Sequence, residues 1–552
     1  MSRIDVASTP VHAHAVLDSA HVGHINGALG TILVGDVSPR KTLKAKLLTL
    51  AAILGPGLIV MVGDNDAGAF ATYTQAGQNY GTSLLWTLLL LVPVLYVNQE
   101  MVLRLGAVTG VGHARLILER FGRFWGAFSV IDLFILNGLT IVTEFIGISL
   151  ALDYLGVSKI VGVLLAAVLT IAAASTGNFR RFERFALILC LGSLLLVPIV
   201  LAANVPLGQI GHDLVIPNLP EGKLSDILLL IIGIVGTTVA PWQLFFQQSY
   251  VIDKRITPRF IPYEKADLWM GIMLVMIGAI AMMVFCAAIF KGKPEFGNFT
   301  DAGGIATALG KYAGPTMGVL FAIALIDAAI IGASAVSLAT AYAISDVLSL
   351  KHSLHRKATD AKGFYLVYCG LIAFAATIVL IPGSPLGLIT LAVQTLAGVL
   401  LPSATVFLLL LCNDKAVLGP WANGKWLNLF TGAVITVLVM LSIILTASVL
   451  YPHITGEQIL YILGGGSLLG LVAFIGTTVL RRLGKEAAPV VAISDESRKL
   501  YRQTWRMPPL HTLAPIQFST TRRIWMIVLR GYLVVAVGIV VVRIVQLALG
   551  NG

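Results

Sequence analysis

Charge is what this chain has least of. Asp, Glu, Lys and Arg make up 12% of its 552 residues, against 57% hydrophobic, and a soluble domain carries about twice that charged share. A soluble fold is excluded. Cysteine is equally scarce: Cys190, Cys286, Cys369 and Cys412 lie in or beside apolar runs with no CxxC spacing, which argues against a disulfide framework and a structural zinc site. Acidic residues number 27 against 38 basic ones, for a net charge of +11. In a membrane chain the orientation rule for loops explains that excess, and no nucleic-acid partner is expected. Residues 1–46 contain His12, His14, His21 and His24 but no ordered signal-peptide regions, so the first span acts as its own insertion signal. The composition of this stretch reads as a flexible cytoplasmic tail rather than a metal collector. There is no HExxH, no phosphate loop and no nucleophile paired with a base, so neither an enzyme nor a cofactor is expected.

Apolar runs of membrane-spanning length are what the chain has in plenty. Windows of about 19 residues predict thirteen spans, near 48–78, 83–105, 124–153, 160–176, 184–203, 225–251, 267–290, 315–345, 363–382, 386–412, 427–451, 457–480 and 524–548. The 55 glycines suit close helix packing in lipid. With a cytoplasmic amino terminus, 31 of the 38 basic residues fall inside, 5 outside and 2, Arg530 and Arg543, in the last span. That bias predicts the orientation. The last segment either snorkels its arginines or lies in the interface. Residues 481–523 form the one sizeable polar stretch, a basic cytoplasmic linker close to anionic headgroups.

Two spans are broken. The first reads Gly63-Asp64-Asn65-Asp66-Ala67-Gly68-Ala69 at mid-membrane depth before its apolar course resumes. A charge there costs about 2.5–3.5 kcal/mol on insertion scales, and unwound backbone is tolerated only where it lines a protein cavity. A surface turn instead would leave a second fragment too short to cross. The sixth span is interrupted at Gly236-Thr237-Thr238-Val239-Ala240-Pro241-Trp242-Gln243, where Pro241 removes a donor and frees carbonyls near Thr237. Paired breaks opening two five-helix halves point to an inverted-repeat transporter with its site at the bilayer midplane.

At these residues the chain resembles the NRAMP divalent-metal transporters. Gly55-Pro56-Gly57, Asp66-Ala67-Gly68-Ala69, Gln75-Ala76-Gly77, Arg104 to Gly110, Glu144-Phe145-Ile146-Gly147 and Thr237 to Pro241 occur in that family's order over roughly residues 47–480. The resemblance implies an all-α polytopic membrane protein with the leucine-transporter fold. Its inverted repeats would lie at 47–203 and 225–412, followed by spans at 427–480 and a final helix at 524–548. It also implies a bacterial inner (plasma) membrane location. Several family ligands are replaced: the asparagine after Asp-Pro-Gly is Ala69, the sixth-helix methionine is Ala240, the two sixth-helix histidines are Trp242 and Gln247, and the third-helix aspartate is Ile141. This pattern resembles the NRAMP-related magnesium transporters.

The residues point the same way unaided. Carboxylate, carbonyl and amide oxygens suit hard ions, whereas a thioether favours softer transition metals, and magnesium usually keeps several waters. Asp66 is expected as the charged ligand, with Asp64 and carbonyls near Ala67, Thr237 and Thr238 binding directly or through water. Gln394, Glu144 and Asp327 are further intramembrane polar groups, with Gln394 matching a family glutamine. Glu144 either joins the ion path or caps freed backbone, and Asp327 either faces the path or pairs with Lys311. Glu100 and Arg104 read as a structural i,i+4 pair. The expected activity is import of Mg2+ and Mn2+ by alternating access without tight proton coupling. Two other readings stay open: an organic-solute transporter, whose substrate carboxylate Asp64 and Asp66 would repel, and a receptor on a transporter scaffold. Partners are the divalent ion and membrane lipid; oligomeric state is not legible.

Overall fold

The computed structural model describes residues 19–203, 205–381, 386–450, 455–483 and 495–513, with Ile516, Gly531, Val534 and Gly538. The span expected at 524–548, His12 and His14 lie largely or wholly outside these described residues. Among them, nine helices are long and apolar enough to cross a membrane, or ten if a pair bent by 54° at 43–62 is one span.

A short hairpin, β1 (Ile25–Gly27) and β2 (Gly30–Ile32), pairs Ile25 with Ile32. The first span follows as α1 (Leu43–Ile53), α2 (Pro56–Val62) and α3 (Ala67–Tyr80), and the second as α4 (Leu85–Thr109). A connecting helix α5 (His113–Phe121) leads to α6 (Arg123–Tyr154), α7 (Lys159–Ala174), and the fifth span, α8 (Phe179–Cys190) with α9 (Leu196–Ala202). After the short α10 (Leu207–Val215), the second repeat opens with α11 (Leu224–Thr238) and α12 (Pro241–Asp253). It continues through α13 (Ile261–Phe290), a short α14 (Ala302–Tyr312), α15 (Pro315–Val347), α16 (Lys362–Val379) and α17 (Leu386–Cys412). A turn of helix, α18 (Lys415–Leu418), precedes α19 (Lys425–Leu450), α20 (Gly456–Leu483) and α21 (Asp495–Thr504). This is the leucine-transporter-like arrangement expected, with α19 as an added span and α20 after it. The third spans of the two repeats, α6 and α15, pack most extensively, and the second spans, α4 and α13, also touch, as a twofold axis in the membrane plane requires.

Three expectations need correction. From residue 19 onward the amino-terminal tail is a folded strap, because arginines elsewhere find its carbonyls. Arg180 Nε donates to Gly27 O at 2.9 Å, Arg184 Nε to Ala28 O at 3.0 Å, and Arg255 Nε to Ala20 O at 3.0 Å. His21 is buried against the His352 ring, 5.3 Å between centroids. The loop imidazole of His352 is opposed in its charge by burial yet held protonated by Asp346, with a pKa raised to about 9. Lys254, grouped with loop charges in the sequence, is fully buried and bonds Glu183 Oε1 at 2.6 Å and Leu54 O at 2.8 Å. The linker is docked in its second half: Arg506 donates to Ala107 O at 2.8 Å and Trp421 Nε1 to Arg502 O at 2.8 Å.

Candidate metal site

The break in the first span is held open by side chains that take its amides. Asp66 is the N-cap of α3 and accepts from Ala69 N at 2.8 Å; Glu144, from α6, accepts from Ala67 N at 3.0 Å. In a continuous helix those two amides would serve the carbonyls of Asn65 and Gly63, which are thereby released. Near Ala67, whose N–H goes to Glu144, the freed carbonyls are therefore those of Gly63 and Asn65. Glu144 does cap freed backbone, the second of its two expected roles.

In the sixth span Pro241 opens α12 without an N–H, so the carbonyl of Thr237 has no helical donor. The carbonyl end of α11 carries the negative pole of its dipole, which favours a cation, while Asp66 offsets the positive pole at the start of α3. Thr237 Oγ1 donates to Gln394 Oε1 at 2.6 Å, tying α11 to α17. The Thr238 hydroxyl is committed elsewhere, donating to Ile234 O at 2.6 Å and meeting Tyr73 Oη at 2.7 Å.

The two breaks share one space. A Cβ at Gly68 would stand 1.7 Å from Gln394 Nε2 and 3.2 Å from Asp66 Oδ1, so only glycine lets that amide approach the carboxylate. A Cβ at Gly332 of α15 would meet both Glu144 Oε2 at 2.8 Å and Asp66 Cβ at 2.9 Å. Asp64 accepts from Gln243 Nε2, and Gln243 Oε1 accepts from Gln99 Nε2 at 2.8 Å, leaving Asp64 Oδ2 buried without a partner. Asn65 Oδ1 is likewise unpartnered. Trp242 lies over Gly63, its ring 3.8 Å from where a Cβ would be. Buried Gln247 leaves both amide atoms unpartnered. Ala69 and Ala240 are buried and bring no donor side chain.

Asp327 does not join this group. It stands against Gly192 of the fifth span, whereas Leu325, two residues earlier, packs toward Gly147 on the side of Ala67, so Asp327 points to a different helix face. Nor does it pair with Lys311, which bonds Glu295 at 3.0 Å. Sequence reasoning missed Asn65, Gln99 and Gln243 as site-shaping groups, although Asn65 and Gln243 lie inside the two broken motifs.

A small crevice lined by Phe299, Asp301, Thr390, Leu150, Ala71 and Ala67 lies beside the start of α3, on the side opposite the hairpin. On the hairpin side the buried Lys254–Glu183 pair, Ala28 N donating to Glu183 Oε2 at 2.5 Å and Gly57 N donating to Asp267 Oδ2 at 2.7 Å close the structure. Among the described residues, no three His, Cys, Asp or Glu side chains form a closed metal cage. The available donors are oxygens of two aspartates and freed carbonyls, whereas the Asn65 side chain docks on α13, donating to Val275 O at 3.0 Å.

The model of natural resistance-associated macrophage protein-like (Nramp) proteins matches residues 57–448. The chain belongs to the Nramp family. Among its relatives, a divalent metal cation transporter MntH from Ralstonia nicotianae is 30% identical over 407 residues, covering 70% of this chain and 88% of that one. A namesake from Burkholderia ambifaria is 27% identical over 422 residues, covering 73% and 91%. In fold, this Nramp chain is similar to the manganese transporter of Eremococcus coleocola, solved with an aromatic bis-isothiourea substituted compound. The TM-score is 0.61 at 19% identity, covering 82% of this chain and 98% of that one.

Proposed function

We propose that this Nramp chain transports divalent metal cations inward by alternating access, with Mg2+ and Mn2+ as its ions. The observation that carries this reading is the all-oxygen donor set where the breaks meet: Asp66, Asp64 Oδ2 and the carbonyls released at Gly63, Asn65 and Thr237. Such donors suit hard cations. With only two carboxylates and no closed cage, the ion keeps part of its water shell, as magnesium prefers. The names of the MntH relatives and of the manganese transporter support the ion class. Ala240 and Ala69, where the family pattern has methionine and asparagine, support the harder ion and leave room for its water. The basic hairpin-bearing face is cytoplasmic by the excess of Lys and Arg there, and the crevice beside α3 lies on the opposite, outer side.

An organic-solute reading is disfavoured because Asp64 and Asp66 would repel a substrate carboxylate where a half-helix amino terminus would have to bind it. The deciding experiment is flux of Mg2+ and Mn2+ into proteoliposomes under a negative-inside potential. Saturable uptake of either ion, absent from empty liposomes, is expected; no divalent uptake by folded protein would reject the reading.

A further inference from the structure

Away from the transport path, α4, α13 and α19 converge with the docked linker around a cavity of about 300 Å³, lined among others by Glu100, Arg104, Lys265, Asn423 and Arg502. Its charges do not balance. Glu100 is shared between Arg104, at 3.0 Å, and Lys265, at 2.9 Å. Arg502 has no ion-pair partner among the described residues and lies over the Trp421 ring at 4.2 Å. Three cations therefore face one carboxylate.

Arg104 is itself 95% buried in its side chain, and two of its donor groups are used on the Trp421 carbonyl, Glu100 and Asn423 Oδ1. Its Nε–H has no partner. With Glu100 already shared, the positive charge of Lys265 and Arg502 around the cavity is left over, which is the makeup of an anion site. Arginine forks match phosphate oxygens in particular.

The level in the membrane is marked by aromatics. Tyr96, which lines the cavity, stacks on Trp269 at 4.7 Å; Trp269 is 41% exposed, and Trp426 at the start of α19 is 84% exposed. Tryptophan and tyrosine in that setting sit at headgroup depth. We propose that this cavity binds a phosphate group at the basic face, presented by an anionic phospholipid that ties the linker to the transporter core. The site is independent of the ion carried.

The test uses the full chain purified in detergent, with phosphatidylglycerol, phosphatidylcholine and inorganic phosphate as separate probes, followed by native mass spectrometry and thermal unfolding. The comparison is with the double variant Lys265→Gln/Arg502→Gln, which keeps Arg104 and its internal bonds. Retention of phosphatidylglycerol over phosphatidylcholine, weakened at least tenfold in the double variant, supports the lipid source. Should inorganic phosphate alone protect the parent and not the variant, with phosphatidylglycerol inert, the phosphate site stands but its lipid source is overturned. Equal binding of every probe by parent and variant, at matched lipid-free melting temperature, overturns the site. If the double variant does not fold, Arg502→Gln alone, on the exposed α21, replaces it with the same criteria.

Discussion

Glu144 Oε2 lies 3.0 Å from the backbone nitrogen of Ala67, and this one bond joins the third span to the break in the first. The carboxylate takes an amide that would otherwise rebuild the helix and silence the Gly63 carbonyl. Glutamine can accept the same bond, whereas alanine cannot. Glu144→Gln is therefore expected to keep divalent flux within about threefold, while Glu144→Ala lowers both flux and melting temperature, an unpaired buried amide costing about 1–3 kcal/mol. If flux in Glu144→Gln falls as far as in Glu144→Ala, ionisation and not capping is what the position supplies.

Asp66 has two roles that substitutions can separate. Its charge is the proposed ion ligand, and its oxygen caps α3 through Ala69. Asp66→Ala removes both, and a lost cap costs about 0.5–2 kcal/mol, offset by relief of a buried charge. Asp66→Asn keeps an acceptor for the cap. Both variants are expected to abolish Mg2+ and Mn2+ uptake in vesicles, with Asp66→Asn melting close to the parent. Parent-like flux in either would remove Asp66 from the site.

Residue 240 is the N-cap of the second half of the sixth span and brings no side-chain ligand. Ala240→Met adds a soft ligand and fills space that otherwise admits water. Competition assays should show cadmium and manganese gaining on magnesium by about tenfold, roughly 1.4 kcal/mol. An unchanged rank order in an active variant would place residue 240 away from the ion.

The Glu183–Lys254 pair closes the hairpin side with both side chains fully buried. Lys254→Met strands a buried carboxylate, at a cost of about 3–5 kcal/mol, while replacing both partners by apolar residues is often neutral. Thermal unfolding should therefore show Lys254→Met well below the parent and Lys254→Met/Glu183→Leu recovering most of the loss. No recovery would mean that bonds to Leu54 O and Ala28 N, not the ion pair, carry the stability.

The breaks were legible because acids, glycines and a proline inside an apolar run have few structural explanations other than a cavity. Asp64, Asp66 and Thr237 were read that way, Glu144 as a lone acid within a span and Gln394 from the family pattern, and all five lie beside the two breaks. Lys254 was not legible, since a lysine at the end of a span reads as a loop charge until its partner, 71 residues earlier in the chain, is known. The strap shows the same limit: the carbonyls of Ala20 and Gly27 attract Arg255, in the turn after α12, and Arg180, in α8, and no local pattern announces such pairs. Which carbonyls near Ala67 are freed was not legible for a subtler reason. Which carbonyls a break frees depends on which side chains steal its amides, and Glu144 is contributed by another helix.

Transport is expected to be uncoupled, or only loosely coupled, to protons. The third-helix family aspartate is Ile141, the sixth-helix histidines are Trp242 and Gln247, and none of the described spans places histidine, the side chain best suited to exchange protons near neutral pH, at the breaks. Coupling is also unnecessary energetically: a divalent cation moving inward through 100 mV, negative inside, gains roughly 4.6 kcal/mol, twice the value for one charge. The groups able to contradict this are Glu144, whose Oε1 is buried without a partner, and Asp327, which stands apart from the site. Proteoliposomes loaded with a pH dye, with the potential clamped, separate the cases when Mg2+ or Mn2+ is added outside. Flux without internal acidification is expected. Acidification that saturates with the ion, is absent from empty liposomes and disappears in Glu144→Gln would make the Glu144 carboxyl a proton carrier, while acidification lost only in Asp327→Asn would trace a proton route separate from the metal path.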